Sequence, residues 1–536
     1  MANEDTEFDV IVIGAGINGA GIARDAAMRG LSVLLVDKSD IGGGTSSWST
    51  RLIHGGLRYL EHGEFGLVRE SLREREALLR VAPHLVRPLP LLIPVYKHAR
   101  RGLWTIRAGM IAYDALSLNK SLPNHRMLSP AQTLRVVPAL EPEGLRGAAV
   151  YSDAQVEFAE RLVLENVLSA VEHGATVITY SRVDKLMVEN GKVCGIEFTN
   201  DTGGETRVAR GTIMINAAGP WVDQVLKSDS GTSPRLIGGT KGSHIIVGPF
   251  AGAPDTAIYV EAETDGRPFF IIPWNSKYLI GTTDIRYDGD LDQVHIETVE
   301  INYLLQETNR VLPRAKLTRE QILFAYSGVR PLPFTTDADG QRITRRHFIR
   351  SHTEQDNLFS IVGGKITTYR SLAEQAVDAV FKKLGRDSPE CKTVRDPLPG
   401  AATPNFSDFC WSFKHRSSLS PATNDRLLRI YGTRAASIAD LVQEDLSLAE
   451  VFDRETGAIA AEIVFAFEHE FAKTLSDCLL RRTMVGLNSS CGLNAVDAAG
   501  KIVQRYLGWF EAGIAREIAA YRLEINARFR VPPLPD

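Results

Sequence analysis

The turn "GAGINGAG" near the amino terminus restricts the fold of this chain more than any other feature. It places Gly14, Gly16 and Gly19 in the spacing G-x-G-x-x-G, after the β-rich run "FDVIVI" and at the start of a segment with helical composition. A second apolar run, "LSVLLVD", ends at Asp37, about 20 residues further on. This order predicts a Rossmann-like unit in which glycine backbone and a helix N-terminus bind a pyrophosphate and Asp37 binds a ribose.

Three further segments favour FAD over a nicotinamide cofactor. The run "GGGTSSWST" at 42–50 offers hydroxyl and backbone donors, and "INAAGPWVDQVL" at 215–226 and "IVGGKITTYR" at 361–370 each bring a glycine turn after a strand. A flavin nucleotide that is held along its whole length needs such distributed contacts. Because the chain has no second G-x-G-x-x-G for a nicotinamide partner, we expect electrons to leave the flavin by another route.

Composition narrows the class of protein. A chain of 536 residues exceeds the usual size of one hydrophobic core, and its net charge of −4 argues against nucleic acid as a partner. The five cysteines form no C-x-x-C pair, so we predict no metal site and no disulfide framework. The sequence has no signal peptide pattern and no apolar run near the roughly 18 residues of a spanning helix. We therefore expect a location on the cytoplasmic side.

We predict an α/β protein: a Rossmann-like FAD-binding domain with an antiparallel-sheet substrate domain and a C-terminal helical domain. Short β-like runs such as "SHIIVGPF" and "PFFIIPW" dominate 235–350, and "DPLPG" at 396–400 marks a linker. Beyond it, apolar residues recur at the spacing of a core-facing helix: Val464, Phe467, Phe471, Leu475 and Leu479. The predicted segments are the FAD-binding domain at 1–90, 151–232 and 351–395, a cap and membrane-facing segment at 91–150, the antiparallel substrate domain at 233–350, and the helical domain at 396–536.

Four cations indicate an anionic substrate. A phosphate monoester presents three acceptor oxygens, and arginine offers a planar bidentate fork to such a group. Arg58, Arg330, Arg345 and Lys365 are each flanked by glycine, proline or β-like sequence and do not lie in charged helical stretches. For any one of them alone, a solvated surface cation is the alternative.

The stretch "LIHGGLRYL" at 52–60 joins an imidazole, two glycines and an arginine. Oxidation of a secondary alcohol needs a base for the hydroxyl proton, and an imidazole, with an unperturbed pKa of about 6.5, suits His54 to that role. Gly55 and Gly56 would let the chain pass close to the isoalloxazine ring. The alternative is a structural His54, with Lys365 or a water relaying the proton.

Together, these motifs resemble those of the FAD-dependent glycerol-3-phosphate dehydrogenase family. The glycine turn is shared widely, whereas "LIHGGLRYLE" and "GGKITTYR" are specific to this family and its close relatives. The matching runs follow the family order across about 8–372: "GAGINGAGIARDAAMRGLSVLLVDKSD", "GTSSWSTRLIHGGLRYLEHGEFGLVRE", "NAAGPWVDQ", "KGSHIIV", "IPWNSKYLIGTTD", "YSGVRPL", "ITR" and "GGKITTYR".

The resemblance implies oxidation of sn-glycerol 3-phosphate to dihydroxyacetone phosphate, transfer of electrons to membrane quinone, and a peripheral position on the inner face of the cell membrane. It implies that the substrate contacts Arg58, Tyr59, Arg330, Arg345 and Lys365; His54, Arg330 and Lys365 form the predicted catalytic set. The positions that the resemblance places around the flavin are Gly14, Gly16, Asn18, Gly19, Asp37, Thr45, Ser46, Ser47, Leu52, His54, Gly55, Gly219, Trp221, Gly364 and Lys365.

The segment 88–120 favours membrane contact. The apolar run "PLPLLIPVY" is followed by interleaved cations and aromatic residues, which suit an anionic lipid surface: Lys97, His98, Arg100, Arg101, Trp104, Arg107 and Tyr113. A strand and a helix of a soluble cap domain are the alternative.

Other functions stay open. The run "YSDAQVEFAERLV" and Arg51 depart from the family pattern, which leaves room for a longer polyol phosphate such as erythritol phosphate. An oxygen-using oxidase and a flavin-binding sensor without turnover also remain, whereas an amino-acid oxidase would have no use for four cations. The sequence leaves a homodimer open.

Overall fold

Two large β-sheets and a helical region organise the chain. The structure is a computed structural model that describes residues 7–60, 63–118, 120–201, 203–230, 235–335 and 344–533; the side chains of Arg58 and 228–230 lie outside the described part. The strands are β1 Glu7–Ile13, β2 Val33–Val36, β3 Leu52–Ile53, β4 Val86–Tyr96, β5 Arg126–Leu128, β6 Leu145–Val156, β7 Thr176–Ile178, β8 Ser181–Glu189, β9 Lys192–Asn200, β10 Thr206–Asn216, β11 Thr240–Val247, β12 Ala257–Glu261, β13 Pro268–Trp274, β14 Lys277–Gly281, β15 Ile285–Arg286, β16 Ile322–Arg330, β17 Phe348–Ser351, β18 Leu358–Val362, β19 Val451–Asp453 and β20 Ala458–Ile459. The α-helices are α1 Ile17–Met28, α2 Phe65–Val81, α3 Leu103–Leu116, α4 Pro130–Val136, α5 Ala159–Glu172, α6 Val222–Ser230, α7 Thr298–Val311, α8 Tyr369–Leu384, α9 Phe406–Arg416, α10 Pro421–Tyr431, α11 Ala435–Glu444, α12 Ala460–His469, α13 Val496–Leu507 and α14 Glu511–Arg528.

The first sheet is the predicted Rossmann-like unit. Five parallel strands lie in the order β18-β10-β1-β2-β7, with β17 antiparallel at one edge and the β8–β9 hairpin paired to β10. Helices α1, α5 and α8 cover one face, and the hairpin and α6 cover the other. Because both faces are covered, β2 and the part of β1 from Val10 to Ile13 are apolar and buried, as their sequences predicted.

The second sheet is largely antiparallel and draws on distant parts of the chain. Its strands lie in the order β15-β11-β14-β13-β12-β4-β6-β3, with β16 beside β11 and β5 beside β6. The sheet predicted within 233–350 therefore also receives strands from 52–53, 86–96 and 145–156. Together with the C-terminal helices, the two sheets confirm the predicted fold class.

The apolar side chains of the run "PLPLLIPVY" are largely buried inside the protein, although Pro88 and Pro90 are exposed. This run lies in β4, which pairs with β6 over its whole length and with β12 at Leu91 and Leu92, and both leucines are buried. The side chain of Tyr113, on α3, is also buried. The prediction that these two features contact lipid was wrong, because the second sheet and its helices cover them. Among the described residues, no helix has both the length and the apolar character needed to cross a bilayer.

The helical domain packs firmly on the rest of the molecule. The apolar stripe from Val464 to Leu479 belongs largely to its core, as predicted, but does not form one helix: α12 ends at His469, and Phe471 has a φ of 60°. A π-helical segment, Asp477–Arg482, follows. The predicted linker at 396–400 is packed, since Gly400 is buried and its N–H donates to Glu165 Oε2 at 2.6 Å.

Candidate active site

A cavity of about 1300 Å³ lies between the two sheets. The first sheet lines it with residues that follow β1, β2, β10 and β18, and the second sheet contributes residues from β11, β13 and β16. Pockets for small ligands usually measure about 300–1000 Å³. This cavity therefore has room for a long cofactor and a small substrate together.

The glycine turn after β1 forms one end of the cavity. Gly14 has a φ of +106°, and a Cβ there would lie 2.7 Å from the carbonyl oxygen of Ala217, so only glycine fits. Asp37, which follows β2, accepts the N–H groups of Ala15 at 2.6 Å and Ser39 at 2.7 Å. These bonds fix its carboxylate on the cavity wall, at the position that a nucleotide ribose requires.

Within the described part of the chain, eight cavity-lining residues carry a buried side-chain polar atom without a hydrogen-bond partner. Three of these atoms are Asn18 Oδ1, Trp221 Nε1 and Lys365 Nζ. Buried polar atoms in folded proteins are nearly always paired, so these atoms indicate a polar ligand. The acceptor amide of Asn18 and the indole donor of Trp221 suit the hydroxyl and ring groups of FAD, and the ammonium of Lys365 suits an anionic group.

Most of the predicted flavin residues line this cavity, and three do not. Gly19 packs against the Gly14 carbonyl, Ser47 donates to the Gly42 carbonyl at 2.7 Å, and Gly55 contacts Tyr113. The predicted residues that line the cavity are Gly14, Gly16, Asn18, Asp37, Thr45, Ser46, Leu52, His54, Gly219, Trp221, Gly364 and Lys365.

The predicted cations converge on the same cavity. Arg330 and Arg345 bind the two oxygens of one carboxylate, that of Asp284, at 3.0 and 2.9 Å. The Lys365 ammonium lies 4.6 Å from the ring centre of Tyr59, and all five side chains line the cavity. The side chain of Arg58 lies outside the described part of the structure, although its backbone belongs to the 3-10 turn Leu57–Leu60.

Burial and neighbouring charges shift the pKa values of Lys365, Arg330 and Asp284. It lowers the pKa of Lys365 to about 7, and it also lowers the pKa of Arg330. Burial alone would raise the pKa of Asp284, but Arg330 and Arg345 hold it below its usual value. A desolvated group of cations with one shared carboxylate provides strong attraction for a multivalent anion.

His54 lies where β3 ends, beside these cations. Its backbone N–H donates to Thr367 Oγ1 at 3.2 Å, and its ring packs edge-on against Phe270. Burial, followed by the charge of Lys365, lowers the pKa of the imidazole to about 3. The ring is therefore neutral at physiological pH and able to accept a proton, although its basicity is far below that expected from the sequence.

Three further residues on the cavity wall were not singled out from the sequence. Asp284 clamps the two arginines, Arg267 donates to the Asp284 carbonyl, and His244 on β11 shares a 2.9 Å hydrogen bond with Thr50. His244 and Asp284 fall within runs that match the family, but their neighbours along the chain gave no reason to select them. Arg267, in "DGRPFF", had no recognisable signal.

Arg51 and the run "YSDAQVEFAERLV", which depart from the family pattern, contact each other through Glu160 of that run. Arg51 forms a bidentate ion pair with Glu160, at 2.6 and 2.7 Å, and both side chains are buried. The Arg51 guanidinium also lies over the ring of Trp274, at 4.8 Å from its centre. Each of these two buried charges is thus neutralised by the other.

Comparisons with known proteins identify the family of this chain. Residues 9–370 match the family model described as FAD dependent oxidoreductase, and 391–513 match the C-terminal domain of alpha-glycerophosphate oxidase. A glycerol-3-phosphate dehydrogenase of Synechocystis is 49% identical over 97% of this chain and 96% of its own length. A D-erythritol 1-phosphate dehydrogenase of Brucella abortus is 39% identical over 90% of this chain and 95% of its own.

A solved structure extends the match to three dimensions. The glycerol-3-phosphate dehydrogenase of Bacillus halodurans, in complex with FAD, superposes with a TM-score of 0.81 at 28% identity and covers 99% of this chain and 97% of that one. These matches confirm the resemblance and the FAD cofactor inferred from the sequence. The chain is an FAD-dependent oxidoreductase and belongs to the FAD-dependent glycerol-3-phosphate dehydrogenase family.

Proposed function

We propose that this enzyme oxidises sn-glycerol 3-phosphate to dihydroxyacetone phosphate. The observation that carries the proposal is the convergence of Arg330, Arg345 and Lys365 on one cavity that also contains the flavin-binding turn. A neutral metabolite would not need three cations in a desolvated site. The names of the Synechocystis and Bacillus halodurans relatives support the same substrate.

Lys365 and the arginines bind the phosphate. The Lys365 ammonium has no hydrogen-bond partner among the described residues, so it donates to a phosphate oxygen without breaking any bond seen there. Arg330 and Arg345 present their guanidinium groups side by side because Asp284 holds both. Tyr59 and Arg58, from the turn at Leu57–Leu60, complete the predicted phosphate site.

His54 accepts the proton of the substrate hydroxyl. Bound FAD supplies the hydride acceptor. The imidazole is neutral before substrate binds, as this role requires. Because the Lys365 charge contributes to its low pKa, a phosphate that offsets this charge raises the basicity of His54 when substrate is present.

Electrons leave to membrane quinone, with the protein held peripherally on the cytoplasmic face of the membrane. Helix α3 supports the membrane part of this proposal. Trp104, Ile111 and Leu118 on or beside it are 78%, 55% and 82% exposed, and Arg107 lies over the Trp104 ring. Exposed apolar side chains next to cations suit an anionic lipid surface.

Anaerobic mixing with a panel of polyol phosphates tests the substrate. We expect glycerol 3-phosphate to bleach the visible absorbance of the bound flavin, and glycerol without phosphate to leave it unchanged. Erythritol phosphate is the second candidate, favoured by the name of the Brucella abortus relative. If erythritol phosphate alone bleached the flavin, it would be the substrate in place of glycerol 3-phosphate. If no compound of the panel bleached the flavin, a flavin-binding sensor without turnover would be favoured.

The rate at which the reduced flavin is reoxidised distinguishes quinone from oxygen as the electron acceptor. We expect a short-chain quinone to restore the flavin absorbance rapidly and air to restore it slowly. Fast reoxidation by air with release of peroxide would instead identify an oxidase. The homodimer stays a prediction, which sedimentation of the FAD-loaded protein would test.

Replacement of His54 tests the proton acceptor. Glutamine keeps a polar side chain of similar reach but is not a base, so His54→Gln should slow flavin reduction by about 10²–10⁴-fold. The substitution should leave FAD bound, as its visible spectrum would report. An unchanged reduction rate would transfer the role to Lys365 or to a water.

A further inference from the structure

Gly55 lies between the proton acceptor and the phosphate turn, and its backbone is pressed against two helices. Its N–H donates to Tyr113 Oη at 2.9 Å. A Cβ on Gly55 would lie 2.4 Å from that hydroxyl oxygen and 2.6 Å from Leu72 Cδ2. Gly55 therefore contacts α3 and α2 and does not line the cavity.

The Tyr113 hydroxyl is held in one orientation. It lies 2.8 Å from both carboxylate oxygens of Asp153, on β6, and a hydroxyl can donate its single proton only toward that carboxylate. Its lone pairs are thus left to accept the Gly55 N–H. Arg75, on α2, fixes Asp153 in turn with a 2.5 Å ion pair.

This network is fully enclosed. Arg75, Tyr113 and Asp153 are all at most 2% exposed, and they come from three different elements. The Gly55 N–H lies 3.5 Å from Asp153 Oδ1, so its short contact is the one to tyrosine. A buried amide that loses its acceptor incurs a desolvation cost, so removal of the hydroxyl should move the chain at Gly55.

We infer that Tyr113, Asp153 and Arg75 are positioning residues that fix the Gly55 backbone and thereby hold His54 on one side and the Leu57–Leu60 turn on the other. The inference rests on the proposed function for the role of His54. It assigns Tyr113, which the sequence placed at a membrane surface, to the interior of the active-site scaffold. A displacement of about 1 Å at a reacting group can lower a rate by roughly 10²-fold.

Tyr113→Phe in the FAD-loaded protein is the test. It removes one oxygen and keeps the ring that packs edge-on against Tyr151, so the fold should persist. We expect the rate of flavin reduction by glycerol 3-phosphate to fall by about 10- to 100-fold. The fall in kcat should exceed any rise in KM, because His54 acts on the reacting hydroxyl.

Tyr96→Phe is the matched control. Tyr96 is a buried tyrosine on β4 whose hydroxyl donates to the Glu141 carbonyl at 3.0 Å, away from the cavity. Its loss should leave kcat unchanged, whatever it does to the melting temperature. Equal losses of kcat in the two variants, or full kcat in a folded Tyr113→Phe protein, would overturn the inference.

Amide hydrogen exchange gives a readout that needs no substrate. In the substrate-free holoenzyme, we expect peptides covering 52–57 to exchange faster in Tyr113→Phe than in the parent, while peptides from β1 keep their protection. If glycerol 3-phosphate fails to bleach the parent flavin, the proposed substrate fails while this result still decides the positioning role. Unchanged exchange at 52–57 would contradict that role.

A double-mutant cycle tests the contact itself. Gly55→Ala drives a methyl group toward the Tyr113 hydroxyl, and Tyr113→Phe removes that oxygen. We therefore expect the combined variant to lose less activity than the product of the two single losses. Losses that multiply would show that the two groups act independently and would overturn the inference.

Discussion

Lys365 carries a buried ammonium on the cavity wall. Within the described part of the chain this ammonium has no hydrogen-bond partner, and burial lowers its pKa to about 7. Unfolded lysine titrates near 10.4, so between these two values the unfolded chain binds more protons than the free folded protein. Burial of Lys365 therefore costs stability at low pH, and this cost disappears as the pH rises through that window.

A bound phosphate monoester should raise the pKa of Lys365 again, because a dianion favours the charged ammonium. At about pH 8, we expect binding of a phosphate monoester to be accompanied by uptake of up to one proton. Calorimetry in two buffers of different ionisation enthalpy measures this uptake. Lys365→Met should abolish it, and Lys414→Met, on the surface of α9, should not; uptake that persists in Lys365→Met would refute the assignment.

Functional residues could be predicted where the residues next to them in the sequence form a recognisable pattern. The turn at Gly14, the acid at Asp37 and the cations Arg330 and Lys365 stand in runs whose local pattern or family resemblance identifies them. The side chains of Asp284 and Tyr113 act through partners at least 40 residues away in the sequence, and their own neighbours carry no signal. Burial also changes proton affinities in ways that a sequence does not display, as the pKa of about 3 for His54 illustrates.

At the scale of elements, the segment that the sequence predicted to face a membrane consists of the strand β4 and the helix α3, which differ in exposure. The apolar run of β4 could be assigned to lipid or core only through its partners β6 and β12, which are remote in the sequence. Helix α3 instead has one buried face and one exposed face. Tyr113 points inward to Gly55, while Trp104 and Ile111 are exposed.

The exposed face of α3 gives a direct test of membrane contact. We expect Trp104→Ala to weaken binding of the FAD-loaded protein to anionic vesicles by about 10-fold, since burial of a large apolar side chain contributes about 1.5–3 kcal/mol. Co-sedimentation with vesicles measures this. Trp411→Ala, at a 65% exposed tryptophan on α9, is the control. Equal binding by both variants would remove α3 from the proposed surface.

At the scale of the whole molecule, the helical domain is tied to the flavin domain by buried charges. Asp40, three residues after Asp37, pairs with Arg481 at 2.5 Å and with Arg482 at 2.7 Å. Arg161 on α5 pairs with Glu470 at 2.6 Å, and all five side chains are buried. Leu523 and Arg528 of α14 also line the cavity, so the helical domain forms part of the cavity wall.

Disruption of this junction should affect cofactor and fold together. Arg482→Met leaves Asp40 with one cation fewer in a buried position, and breaking a buried pair costs about 3–5 kcal/mol. We expect a lower melting temperature and weaker FAD binding, measured by thermal denaturation and by titration of the apoprotein. Arg522→Met, which breaks the exposed pair with Asp497, should change neither property appreciably. Unaltered FAD affinity in Arg482→Met would show that the helical domain acts on stability alone.

The central claim is that cations from distant segments hold a phosphate in the flavin cavity. A crystal structure of the FAD-loaded protein with glycerol 3-phosphate tests it most directly. The account predicts phosphate oxygens within hydrogen-bond distance of Arg330, Arg345 and Lys365, with the substrate hydroxyl facing His54. A phosphate bound elsewhere, with Lys365 still unpaired and both arginines bonded only to Asp284, would contradict it.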